Sequence, residues 1–236
     1  MVASLLTHLA LQCFSLSPLF INTFLSFLTA VLNGLSAAWM AYKQWHSEGW
    51  VNLSNNDLLM HKPWEGAHFL LCSYIGFLFF DSFIILLSNL HAKLPFNLLH
   101  HAIVLIGFST ILLYNAGFNY LILTLICEVH SMFAHLRCLL RMLGLRKDGT
   151  LLVKGEWGLH WAAYMTTRLS LHLLICIKAV LNWSTIAVIM DWPMVQWPVF
   201  VVSVLGINIW NVTVGLDLYK AFLREVILAG KSLKAA

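Results

Sequence analysis

Long apolar runs dominate the chain, and short polar segments interrupt them. A helix needs about 20 apolar residues to cross the hydrocarbon core of a bilayer. Six runs are of this order: Leu19–Tyr42, Ala67–Asn89, Leu98–Asn115, Phe118–Met142, Trp157–Leu181 and Val195–Tyr219. Proline, glycine and charged residues separate them, as in Asn115-Ala116-Gly117. The pattern predicts an all-α fold, a polytopic transmembrane helical bundle with six spans.

The two ends of the chain differ from this pattern. Residues 1–18 hold a shorter apolar run without the basic start of a signal peptide. We predict a partial or interfacial helix there, or a seventh span if the run crosses the membrane. Residues 19–225 then form the transmembrane domain, and residues 226–236 form a short basic tail on the cytosolic side.

Composition narrows the class of protein. Of 236 residues, 60% are hydrophobic and 10% are charged, against roughly 45–50% and 25% in soluble domains. The mean hydropathy is +0.81. The net charge of +4 is small and forms no basic stripe, so we expect no nucleic-acid partner. The five cysteines lie within apolar runs and form no CxxC motif, which argues against a disulfide framework or a zinc site.

Lysine and arginine predict the orientation of the spans. They concentrate in residues 141–154 and toward the C-terminus, and cytosolic segments carry the excess of basic residues. Both termini and the connections 90–97 and 143–156 are therefore predicted to be cytosolic. The other connections, 43–66, 115–118 and 182–194, face the opposite side.

Several ionisable or polar residues fall inside the apolar runs, where each is costly unless paired or hydrated. They are Asp81, His100, His101, Glu128, Ser131, His135, Arg168 and His172. A rise of about 1.5 Å per residue puts them at similar depths toward the cytosolic side, so we predict that they line one cytosol-facing cavity. Glu128, Ser131 and His135 share a helix face, whereas His130 and Arg137 lie on the other side of that helix.

A histidine beside a carboxylate can act as a general base or accept an acyl group. We therefore treat His100, His101 and Glu128 as candidate catalytic residues, and the remaining five as lipid- or substrate-pocket residues. A structural ion pair between Glu128 and Arg168 is the alternative. The histidine spacing lacks an H-E-x-x-H motif, so we predict no metal site and no cofactor, with acyl-CoA as a candidate co-substrate.

The same residues resemble a known family. Leu99-His100-His101-Ala102, followed by Phe108-Ser109, Asn115, Gly117 and Glu128, is similar to the core of the TLC domain. That domain occurs in ceramide synthases, in translocon-associated TRAM proteins and in proteins that contain little else. Ile75–Asp81 resembles the preceding helix, and Glu128-x-x-Ser131-x-Phe133-x-x-x-Arg137 with Arg168 resembles the branch that is not ceramide synthase.

The departures from ceramide synthases favour the TLC-domain-only branch. Those enzymes carry a His-Asp pair and a second Asp where this chain has Cys127-Glu128 and Ser131. The resemblance implies an integral protein of the endoplasmic reticulum that binds membrane lipids or acyl chains and acts in lipid homeostasis. Two alternatives stay open. One is a ceramide-synthase-like, acyl-CoA-dependent N-acyltransferase of sphingolipid chemistry. The other is a non-enzymatic chaperone or structural subunit with a membrane-protein partner, or a homo-oligomer.

Overall fold

The fold is described from a computed structural model, in residues 17–53, 55–88, 95–146, 150–181 and 193–228. The predictions for the N-terminal segment and for most of the tail concern residues outside these ranges. So does most of the connection between the fifth and sixth spans.

Helices account for nearly all of the described chain, and no strand occurs within the described ranges. Span 1 is Pro18–Leu53, with a kink at Gly49, where φ is 79° and ψ is 169°, and a short helix, Asn56–His61, follows it. Span 2 is Ala67–Leu87 and span 3 is Pro95–Tyr114. Span 4 consists of two helices, Phe118–Leu125 and Glu128–Met142. Span 5 comprises Leu151–Ala163, a π-helical segment Tyr164–Ser170, and Leu171–Leu181. Span 6 is Pro193–Phe222 with a π-helical end, Leu223–Leu228.

All six of these helical units contain segments long and apolar enough to cross a membrane. The prediction of an all-α, six-span bundle is therefore confirmed. Some ends differ from the apolar runs. Span 1 continues from the predicted Tyr42 to Leu53. Span 5 begins at Leu151, where the Thr150 hydroxyl accepts a hydrogen bond from the Val153 amide at 3.4 Å. Hydropathy marks only the part of a helix inside the bilayer, so polar turns beyond it are missed.

The six spans form a closed ring. Each span packs against two neighbours in the order 1-2-3-6-5-4, so that span 4 returns to span 1. The half of span 4 at Phe118–Leu125 also contacts spans 2 and 3 and fills the ring at that level. The half at Glu128–Met142 packs on spans 1 and 5, and it leaves an interior space beside it.

The surface of this ring is apolar and its interior contains charged groups, the reverse of a soluble domain. Leu113 and Phe69 are 81% and 78% exposed, whereas Asp81 and Arg168 are 4% and 6% exposed. Large apolar side chains on the outside are what a lipid environment requires. The burial pattern agrees with the membrane assignment from hydropathy.

At one end of the ring, the side chain of Asn119 connects the start of span 4 to the segment between spans 1 and 2. The fully buried Asn119 side chain accepts a hydrogen bond from the Trp64 amide at 2.9 Å. It donates to the carbonyl oxygens of Leu58 and Lys62 at 2.9 and 2.7 Å. Gly117, with a φ of 84°, donates its amide to Met60 at 2.9 Å. The short helix is thereby tied to the start of span 4.

The other end, which we call the basic end, is held by an ion network at the ends of spans 4, 5 and 6. The Glu225 carboxylate accepts hydrogen bonds from Arg141 and Arg146, and from the Trp157 indole at 3.2 Å. Arg146 also donates to Glu156 at 2.7 Å. Burial by itself lowers the pKa of Arg146. The hydrogen bonds and charges of Glu156 and Glu225 outweigh this effect, so the pKa of Arg146 lies above its ordinary value.

We expect Glu225→Gln to lower the free energy of unfolding by about 1–3 kcal/mol, because the buried Arg146 guanidinium loses one carboxylate partner and keeps Glu156. The Arg146 and Glu225 side chains are 1% and 7% exposed. Asp217→Asn is the matched control, since its ion pair with Lys220 is 77% and 68% exposed and should contribute at most about 1 kcal/mol. Thermal unfolding of both variants in the same detergent measures the difference. Equal melting temperatures would contradict a stabilising role for the network.

Candidate functional site

A polar cavity of about 460 Å³ lies inside the ring, in the half nearer the basic end. Seven of the eight predicted site residues line it: Asp81, His100, His101, Glu128, Ser131, His135 and Arg168. The eighth, His172, lines a smaller adjoining pocket of about 20 Å³ together with His100, Glu128 and Arg168. The structure thus brings all eight side chains to two connected spaces. Their catalytic or binding roles stay predictions.

A break in span 4 positions Glu128. The amides of Ile126 and Cys127 donate to carbonyls three residues back, at 3.3 and 3.1 Å, which is 3₁₀ geometry rather than α. Span 1 packs closely on this break at Gly34, where a Cβ atom would lie only 2.8 Å from the Val129 amide nitrogen. A glycine on one helix therefore admits the irregular backbone of another.

Glu128 and Arg168 lie in the same small pocket but do not pair directly. Glu128 accepts a hydrogen bond from the Tyr74 hydroxyl at 2.9 Å. Arg168 donates to the Ser131 hydroxyl at 3.2 Å, and it lies 3.9 Å from the Cys127 sulfur. No carboxylate among the described residues forms an ion pair with it, and its Nε is buried without a partner. The alternative of a direct structural ion pair is therefore not what the structure shows.

The π-helical segment of span 5 places Arg168 in the interior. A π-helical turn contains an extra residue, which changes the direction of the side chains that follow, and such turns are frequent at functional sites. The Arg168 carbonyl lies 2.9 Å from Nδ1 of His172. At the start of the segment, the Tyr164 hydroxyl donates to the carbonyl of Asn211 in span 6 at 2.8 Å. Tertiary contacts thus hold the segment at its start.

The two adjacent histidines have different surroundings. The His101 ring contacts the Ser82 hydroxyl through Nδ1 at 3.1 Å, and Asp81 through Nε2 at 3.5 Å. The His100 ring stacks on Trp210, with centroids 5.2 Å apart and planes 11° apart. Its nitrogens make no hydrogen bond to described residues, and it lines both the cavity and the small pocket. His100 therefore presents ring nitrogens that are available to a ligand.

A second space, which we call the cleft, opens between spans 3 and 6 with a volume of about 870 Å³. His100, His130, Arg137 and Trp210 line both the cleft and the cavity, so the two spaces adjoin each other. His130 and Arg137, which periodicity predicts on the other side of the helix from Glu128, line the cavity together with Glu128 and also line the cleft.

An apolar pocket of about 50 Å³ lies on the far side of Glu128 from the basic end. Since about 10–15 Å³ suffices for one water by this measure, it has room for a few methylene groups. Val104, Phe108, Thr124 and Ile207 line both this pocket and the small pocket at Glu128. The small pocket at Glu128 therefore lies between the polar cavity and the apolar pocket and adjoins both.

A family model described as the TLC domain matches residues 19–220. The chain belongs to the TLC-domain family. Family membership confirms the resemblance seen in the sequence, while the choice of branch stays a prediction. No solved structure matches the chain.

Sequence reasoning missed His160 because its partner His130 lies on another span. The i, i+4 spacing of Glu156 and His160 on one helix is a signal that the sequence does contain. Nε2 of His130 lies 3.0 Å from Nε2 of His160, and Nδ1 of His160 lies 3.5 Å from Glu156. The H-x4-H spacing of His130 and His135 does not predict the contact between His130 and His160. Tyr74 was missed for the same reason. Within the described residues, no group of three metal-ligating side chains could hold a metal ion.

We expect Gly34→Ala to destabilise the TLC domain by about 1–3 kcal/mol, as overpacking does. The new methyl group would meet the backbone that presents Glu128, and backbone does not move aside as a flexible side chain can. Gly76→Ala in span 2 is the control, because a Cβ there meets nothing within 4 Å and alanine favours a helix by up to about 1 kcal/mol. Melting temperatures in detergent compare the two. A Gly34→Ala protein as stable as Gly76→Ala would show that the contact imposes no constraint.

Proposed function

We propose that this TLC-domain protein binds a membrane lipid inside its helical ring and acts in determining membrane lipid composition. The observation that carries the proposal is that a polar cavity and an apolar pocket both adjoin the small pocket lined by His100, Glu128 and Arg168. A lipid is the ligand class that has one polar and one apolar part.

The polar side of the cavity suits an ester, amide or acid group. Arg168 offers a buried guanidinium without a carboxylate partner, and His100 offers ring nitrogens without hydrogen bonds. Arginine carries several donors in a fixed plane that match a carbonyl or an acidic group. In an apolar surrounding these donors favour a polar partner over hydrocarbon.

The apolar side suits an acyl chain. Burying one methylene group is worth about 0.8 kcal/mol, so even a few methylenes in the apolar pocket make a measurable contribution to affinity. Ser203 on span 6 and Gly107 on span 3 lie opposite each other where the two helices pack. A Cβ atom at Gly107 would lie 3.2 Å from the Ser203 hydroxyl oxygen. Small residues here leave the pocket open.

We further propose that the protein resides in the endoplasmic reticulum with both termini in the cytosol. The basic end, with Arg141, Arg146 and Arg224, would then face the cytosol according to the positive-inside rule. The cavity would open toward that side.

We expect Ser203→Phe to weaken retention of a long-chain lipid roughly fiftyfold, because the ring fills the space of about three methylene groups. The assay is native mass spectrometry of the purified protein with dioleoylglycerol added in detergent. Val202→Phe is the matched control, since Val202 is 67% exposed toward lipid. Equal retention by the two variants would exclude the apolar pocket as the chain site. Absence of any bound lipid in the wild type would overturn the proposed function.

Acyl transfer is a second candidate function, and the free His100 imidazole favours it. A ring nitrogen of His100 would attack the thioester carbonyl of an acyl-CoA, the thiol would leave, and an amine would then accept the acyl group. Glu128 and Arg168 line the same pocket as this imidazole, where they could orient the substrate.

For this second function we expect purified protein to acquire label from radioactive acyl-CoA, and His100→Ala to lose more than about 99% of it, since the nucleophile is absent. His46→Ala is the control, because His46 is exposed on span 1 outside the cavity. Labelling that persists in His100→Ala, or no labelling of the wild type, would rule out His100 as the acyl carrier.

A further inference from the structure

The cleft between spans 3 and 6 has an excess of cationic side chains. Four of its lining residues are basic and one is acidic: Arg137, Arg141, Lys220 and Arg224 against Asp217. The cleft is open at the basic end, where span 4 finishes. Such a charge balance favours an anionic ligand over a cationic amine.

Two of these cations are already neutralised within the protein. Arg141 pairs with Glu225, and Lys220 pairs with Asp217 at 3.1 Å. The remaining two, Arg137 and Arg224, form no ion pair with a described carboxylate. The excess positive charge of the cleft therefore resides on these two arginines.

Arg137 is held in place without having its donors satisfied. Its guanidinium carbon lies 4.5 Å from the centroid of the Trp157 ring, a cation–π contact. One terminal nitrogen of the same group is buried and has no hydrogen-bond partner. The nearby carboxylates of Glu156 and Glu225 are engaged by Arg146. The arginine is thus positioned by stacking and keeps free capacity to donate.

We propose that the cleft binds a phosphate ester, with Arg137 as its inner ligand and Arg224 at its mouth. This inference rests on the proposed function and specifies it: the polar end of the bound lipid carries a phosphate. The planar fork of arginine matches phosphate oxygens, and charge-assisted hydrogen bonds of this kind are the strong ones. A sphingoid amine, being cationic, is disfavoured at this position.

The depth of the site fits a phosphate at a membrane interface. Arg137 lies five residues before the end of the helix at Met142, which is about 7.5 Å along the helix axis. Lipid phosphates lie just outside the hydrocarbon core. The cleft joins the cavity at His100 and Trp210, so a ligand with its phosphate at Arg137 can extend toward His100.

Two sources share this chemistry: the headgroup of a phospholipid and the phosphates of a soluble acyl carrier such as coenzyme A. The test uses the full-length protein in neutral detergent and native mass spectrometry. The probes are dioleoyl phosphatidic acid, dioleoylglycerol as its phosphate-free analogue, coenzyme A and inorganic phosphate. The variants are Arg137→Gln and Arg224→Gln, and Lys43→Gln is the control that removes a cation from the exposed Lys43–Glu65 pair outside the cleft.

We expect the wild type and Lys43→Gln to retain phosphatidic acid about tenfold better than dioleoylglycerol, as a charged hydrogen bond would give. Arg137→Gln should lose that preference while still retaining dioleoylglycerol. If Arg137→Gln fails to fold, Arg224→Gln is the test variant, since Arg224 is exposed. We expect it to lose a smaller part of the preference for phosphatidic acid. Displacement of phosphatidic acid by coenzyme A identifies a soluble carrier as the source, and its absence identifies a phospholipid; both agree with a phosphate site.

Four results would count against the inference. Equal retention of the two glycerolipids by the wild type overturns the phosphate site and leaves lipid binding intact. A preference that survives in both arginine variants overturns the assignment to this cleft. Retention of neither glycerolipid overturns the proposed function and the inference together. Inorganic phosphate that displaces phosphatidic acid only when in large excess agrees with the site, whereas equal potency would indicate a simple ion site.

Discussion

The fold depends on the cost of an unpaired ionisable group in an apolar bundle. Each charged side chain inside a membrane domain must find a partner or water, and the ring of spans supplies partners to most of them. Glu128 receives a hydroxyl donor from Tyr74, and Asp81 lies 3.5 Å from His101. Arg168 and Arg137 are exceptions among the described residues, since neither forms an ion pair with a described carboxylate and each has a buried nitrogen without a hydrogen-bond partner. Arg168 lies where the polar and apolar spaces adjoin.

Two local departures from α-helical geometry create that junction. The 3₁₀ break before Glu128 and the π-helical segment around Arg168 lie on neighbouring spans, and each presents a charged residue to the interior. Neither would persist in an isolated helix, because both are less favourable than continuous α-helix. Gly34 accommodates the first by close packing, and Tyr164 anchors the second to span 6.

The two ends of the ring serve different purposes. At one end, Asn119 and an apolar cluster close the interior. At the basic end, Glu225 joins spans 4 and 6 to the connection between spans 4 and 5, while the cavity and the cleft stay open beside it. This network also determines which arginine is available, since it engages Arg141 and Arg146 and leaves Arg137 for a ligand.

The number of spans and the identity of most cavity residues could be predicted from hydropathy and helical periodicity. These depend on transfer free energies and on side-chain directions within one helix, which local sequence contains. The different surroundings of His100 and His101 and the unpaired state of Arg137 could not. Each depends on which distant side chain occupies the neighbouring volume, as Asp81 does for His101 and Glu225 for Arg141. That information arises only when the ring closes, because closure brings residues far apart in the chain within hydrogen-bonding distance.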